Sequence, residues 1–205
     1  MKIRVISRLT SSVLLVFCCA AMADGYRPES DLSTAFVNDM ANAEIVVYPT
    51  IVHDPYICRY CTASRQLVID FLETNGLGAA RAVDTQIYLG KPEGKSQFEM
   101  FQNSMRIVGE HVSASQIDAD YIMVLEVLFP PGMHGRIEVF GIHVYVLTPA
   151  GDNAFSFLLN SHHKSFVKAR LSGSKDTAKG KEKLAIKATR VAMDALEEQI
   201  SQAGS

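Results

Sequence analysis

Residues 119–166 read ADYIMVLEVLFPPGMHGRIEVFGIHVYVLTPAGDNAFSFLLNSHHKSF. Three apolar runs stand in this stretch: Tyr121–Phe129 (YIMVLEVLF), Arg136–Thr148 (RIEVFGIHVYVLT) and Asn153–Phe166 (NAFSFLLNSHHKSF). Val139, Val144 and Val146 carry the β-branched character that fits a pleated surface. Pro130-Pro131-Gly132 separates the first pair of runs, and Pro149-Ala150-Gly151-Asp152 separates the second. Short turn signals between strand-like runs predict an antiparallel meander. Runs that are apolar at nearly every position want cover, and three amphipathic helices can cover one face, for a two-layer or partly three-layer domain.

That cover is legible on either side. Upstream, Ala43–Thr50 (AEIVVYPT) is a β-branched run fit for a buried strand, and HDPYICRYC after it reads as a loop marked by Asp54-Pro55. Leu67, Val68, Phe71 and Leu72 then fall on one helical stripe that Asn75-Gly76 should end. Ala80–Leu89 (ARAVDTQIYL) reads as a second strand. Ser96 with Glu99 three residues on has capping-box spacing, and Phe98, Phe101, Met105, Val108 and Val112 keep helical spacing behind it. Downstream, the loop LSGSKDTAKGK leads to a helix starting near Lys181, with Leu184, Ala188, Val191 and Ala195 on one stripe and Ala192 and Leu196 beside it. The predicted order is β-α-β-α-β-β-β-α: an α+β domain over 44–200, its mixed sheet ending in an antiparallel meander covered by helices. Residues 24–43 read as a flexible lead-in.

The chain begins as exported proteins do. Lys2, Arg4 and Arg8 precede an apolar run from Val13 to Ala21, which closes on Ala21-Met22-Ala23, small residues where a signal peptidase reads. The run is too short for a membrane span, which takes about 20 apolar residues. Phe17 before Cys18 departs from the small residue that precedes a lipid-modified cysteine. Residues 1–23 are therefore expected to be a cleaved signal, placing the protein in the periplasm or outside the cell with no transmembrane segment left. The signal takes three of the twenty basic residues, which leaves 17 against 22 acidic ones and a net charge of −5. Such a balance speaks against nucleic-acid binding.

Ala119-Asp120-Tyr121 before a hydrophobic strand, Val144-Tyr145-Val146-Leu147 running into a turn with Gly151, and an alanine-rich final helix form a pattern. The opening strand followed by a helix near Ala63-Ser64-Arg65-Gln66 extends it over about residues 44–200. This pattern resembles a group of bacterial envelope domains: the N-terminal domain of the Tol-system translocation protein, the curli-secretion lipoprotein, and lipoprotein activators of peptidoglycan synthases. The resemblance implies an assembly or interaction module without catalysis or cofactor. The missing lipid-attachment cysteine and membrane-strand insertions depart from the curli lipoprotein and from pore formation.

Cys58-Arg59-Tyr60-Cys61 is the sharpest local motif, lying between a strand and a helix. A helix N-terminus lowers a thiol pKa, so a thiol–disulfide oxidoreductase using Cys58 and Cys61 is one alternative. Against it, no Thr-Pro or Val-Pro precedes a later strand where thioredoxin-like folds keep a cis-proline. In an oxidising compartment the pair is expected instead to close as a local disulfide clip worth about 2 kcal/mol. A weaker alternative is a metal site from Cys58, Cys61 and His162, with His53 near in sequence, though the second half of a zinc motif is missing. Glu126, inside YIMVLEVLF, is either a buried acid with a raised pKa or a residue on the wet face. His143 reads as a hydrogen-bonded core or edge histidine, and Ser161 beside His162 is not a triad because strand neighbours face opposite ways. No G-x-S-x-G, phosphate loop or dinucleotide fingerprint is present.

The remaining feature is charge. From Lys164 to Arg190 nine basic residues face only Asp176 and Glu182. Such a run is either a solvated face or a patch for an anionic partner, with Lys175, Lys179, Lys181, Lys183 and Lys187 as its centre. The expected partner is another envelope protein or an anionic surface.

Overall fold

A computed structural model describes residues 31–53, 58–90, 93–130, 136–173 and 177–203. The predicted signal over 1–23 lies outside these residues. The predicted α+β class with a mixed sheet is what forms. The fold starts earlier than expected, however: Asp31–Asp39 is a helix (α1), followed by a 3-10 turn over Met40–Asn42. Phe36 and Met40 are fully buried, and the Phe36 ring packs edge-on to Tyr121 at 4.9 Å and lies 5.4 Å from Phe155. The second half of the expected lead-in is thus part of the core.

The β-branched run Ala43–Thr50 is broken at Tyr48-Pro49: β1 (Glu44–Val47) ends there and β2 (Thr50–His53) continues past the expected end, the two lying end to end along one side of β5 (Tyr121–Leu128), both parallel to it. Cys58–Cys61, expected as loop, is a strand (β3) antiparallel to β2, while the loop mark Asp54-Pro55 lies outside the described residues. Helix α2 (Thr62–Thr74) then crosses over to β4 (Ala79–Ala82), parallel to β1. Its end is at the expected place: Gly76 takes φ +64°, which costs a glycine nothing. The expected strand over 80–89 stops at Ala82; beyond it Ile87 and Leu89 are buried from an irregular segment.

Helix α3 (Gln97–Ser115) is capped by Ser96, whose Oγ accepts from the Glu99 amide at 3.1 Å, as the spacing predicted. The meander also forms: β5, β7 (Gly141–Leu147) and β8 (Asn153–Leu159) pair antiparallel in that order. The middle run splits, because Ile137–Glu138 (β6) leaves the main sheet to pair with Ser172–Gly173 (β9). The third run is shorter than expected, since Lys164–Ala169 turns into a helix (α4). The last helix, α5 (Ala178–Ala203), begins three residues before Lys181.

Alternation along β5 divides the core. Tyr121, Met123, Leu125 and Val127 face α1, α2 and α5, packing with Val68, Leu72, Ala188, Ala192 and Leu196. Ile122 and Val124 face α3, packing with Phe101, Val108 and Val112. Helices on both faces make three layers, which explains why the central strands are apolar at almost every position.

Candidate functional site

Three places bring chemistry-bearing side chains together. The first is buried beneath α3. Glu126 breaks the apolar run of β5 on the even-numbered face, and the register sets His143 of β7 directly opposite it. Ile51 of β2 flanks Glu126 on the other side, so His53, two residues on, shares that face. His53 Nδ1 lies 3.0 Å from Glu126 Oε1, and His143 Nδ1 lies 2.9 Å from Oε2. The Tyr145 hydroxyl donates to Oε2 at 2.8 Å and stands 2.9 Å from His143 Nδ1. Phe101 of α3 closes the cluster, stacked on Tyr145 at 5.3 Å and edge-on to His143 at 5.1 Å.

None of the four polar side chains is more than 2% exposed. Burial by itself pushes the Glu126 carboxyl up. The hydrogen bonds from His143 and His53, and their positive charge, outweigh it and bring the group down to about 2. The expectation of a raised pKa or a wet face for Glu126 is corrected on both counts. Tyr145 moves well up, first because it is buried and then because the Glu126 charge opposes a phenolate beside it. His143 is the bonded core histidine the strand pattern predicted. Its Nε2 is buried with no hydrogen-bond partner among the described residues. A carboxylate, two imidazoles and a phenol would make a catalytic set if a substrate could reach them. Sealed as they are, they tie β2, β5 and β7 together.

The second place is a cleft of about 460 Å³ between β3 and the first turns of α5, lined by Val52, Arg59, Tyr60, Cys61, Ala178, Lys179, Lys181 and Glu182. Cys61 lies at its inner wall, a free thiol that accepts a hydrogen bond from Ser64 Oγ at 3.1 Å. It caps α2 without a side-chain bond to the helix amides. Cys58 and Cys61 are the two ends of β3, and three residues of strand separate Cα atoms by about 10 Å. A disulfide needs about 4.4–6.8 Å. The expected clip therefore requires the hairpin of β2 and β3 to come apart, and the redox alternative, which needs the same closed pair, meets the same obstacle. The metal alternative does not assemble either. His162 lies in the turn beyond β8, with its amide bonded to Asn160 Oδ1, and β2, β5 and β7 stand between β3 and β8. At about 4.8 Å per strand that is roughly 19 Å.

The third place is the outer surface of α4 and α5. Lys175 lies outside the described residues. Lys179, Lys183 and Lys187 are exposed along one side of α5, joined by Arg190. Lys181 is half-buried and lines the cleft with Arg59, and the exposed Lys179 stands at that same cleft. The Lys187 Nζ reaches the Arg170 carbonyl at 3.5 Å, which seats the end of α4 beside the stripe. Lys164, Lys168 and Arg170 are exposed there. The charge run thus folds onto neighbouring sides of α4 and α5, with the exposed Glu182 beside Lys179 at the cleft.

No family model matches the sequence, and no curated protein matches it. Among solved structures, the PelC dodecamer from Paraburkholderia phytofirmans is 10% identical, with 75% of this chain and 88% of that chain covered at a TM-score of 0.38. A point variant of the same protein gives 11% identity, 75% and 87% coverage and a TM-score of 0.38. Likeness at that level carries no statement about function. Among the described residues no helix is long and apolar enough to cross a membrane.

Proposed function

We propose that this chain is an exported, non-catalytic binding module of the cell envelope that docks an anionic partner through the basic surface of α4 and α5. The observation that carries this reading is the solvent side of α5, where Lys179, Lys183, Lys187 and Arg190 stand in line. Salt bridges elsewhere pair Arg65 with Asp84, Arg81 with Glu44 and Arg106 with Glu110. Among the described residues none is formed by the stripe. In a chain of net charge −5 after signal removal, a segregated basic face orients encounters with an acidic surface. The sealed state of the Glu126 cluster supports a non-catalytic role, and so does the resemblance to envelope assembly modules.

The test is retention of the full chain on a polyanionic resin across a salt gradient. Lys179→Glu/Lys183→Glu/Lys187→Glu should elute at clearly lower salt than the unaltered protein. The control Lys95→Glu/Arg106→Glu, which changes α3 and its approach, should elute close to the unaltered protein. Equal retention of the α5 variant and the unaltered protein removes this reading.

A further inference from the structure

We infer that the occupant of the α4/α5 surface is the headgroup layer of an anionic lipid membrane, an inference that rests on the docking reading above. Lys179, Lys183 and Lys187 repeat at i, i+4 and i+8, and Arg190 follows, so four cations project from one side of α5 over about 16 Å. Lys164, Lys168 and Arg170 border them, and between these Val167 holds its side chain 57% exposed.

The order of charge along α5 is the reverse of what stabilises a helix. Its first turn carries no acid and its last turn no base. Lys179 and Lys183 sit toward the positive end of the helix dipole, and Asp194, Glu197 and Glu198 follow toward the negative end. Charges placed for stability would run the other way, so the stripe answers to something outside the molecule.

A lipid surface fits that role better than an acidic protein face. Protein interfaces centre on aromatic, Met and Arg side chains seated in desolvated pockets, and lysine is depleted there. This surface is mostly lysine, and Val167 is the large apolar side chain it exposes. Lysine keeps its ammonium hydrated at the end of a flexible stem, and basic clusters of this size hold to anionic headgroups without being dried. A valine amid them can reach the boundary between headgroups and acyl chains.

The experiment is co-sedimentation of the full chain, purified as the host processes it, with vesicles of phosphatidylglycerol in phosphatidylcholine and with phosphatidylcholine alone. Binding is expected to the first and not the second, and to fall with added salt. Lys179→Glu/Lys183→Glu/Lys187→Glu should bind on the order of 100-fold more weakly, with a thermal midpoint close to that of the unaltered protein, because all three side chains are exposed. The milder Lys179→Gln/Lys183→Gln/Lys187→Gln should weaken binding in the same direction. If both variants bind the anionic vesicles as the unaltered protein does, the inference is overturned. If the unaltered protein ignores the vesicles while its resin retention still depends on the stripe, the lipid assignment falls and an acidic protein takes its place. Loss of that dependence on the resin would remove the docking reading itself.

Discussion

An ionised carboxylate with no exposed surface has to be answered within hydrogen-bond reach, and Glu126 is answered by His53, His143 and Tyr145. Its pKa falls from 4.5 to about 2 on folding. A lowered acid contributes stability in full above its unfolded value, and that contribution is lost as the pH drops through the folded value. The cluster should therefore hold the fold at neutral pH and release it between about pH 4.5 and about 2. Glu126→Gln keeps the shape and removes the charge. It is expected to cost about 3 kcal/mol or more at pH 7 and to flatten the acid limb, as read from urea unfolding across that range. A variant as stable as the parent at pH 7 would show that the cluster holds nothing together. The sequence places an acid inside YIMVLEVLF but conceals its partners: His143 is 17 residues away and His53 is 73.

Helix α3 shows how a propensity can point the wrong way. Gly109 lies mid-helix, where alanine would ordinarily gain about 0.5–1 kcal/mol. Here a Cβ at Gly109 would stand 2.7 Å from the Gly151 carbonyl, so the helix and the β7–β8 turn touch backbone to backbone. Gly109→Ala should lower stability by about 1–3 kcal/mol, measured as a drop in the denaturation midpoint; a rise would mean that the turn yields freely. Long periodic elements were legible: α2 and its Gly76 end, α3 and its Ser96 cap, and the three strands of the meander. Short elements were not. The pair of β6 with β9 is two residues long on each side, too short for any periodicity. The β3 segment carries Arg and two Cys where a strand pattern would show alternation.

The boundary of the domain is a property of the whole molecule. Residues 24–43 lack a sustained pattern, yet α1 buries Phe36 against Tyr121 and Phe155, from strands at opposite sides of the meander. Phe36→Ala should cost about 3–5 kcal/mol in a denaturant titration, the loss of a core residue; a cost below about 1 kcal/mol would return α1 to the role of a loose lead-in. Class, element order and meander could be read from the chain because period and turn chemistry are local and repeat over many residues. The basic run between Lys164 and Arg190 was legible as composition. Its division into a stripe on α5 and the cleft-facing Lys181 was not, because helix phase and docking angle set which side chains share a surface. The Glu126 cluster, the separation of Cys58 from Cys61 and the distance from Cys61 to His162 were settled by strand register and sheet order. Those depend on which strands pair across the sheet, and no local stretch of sequence records that choice.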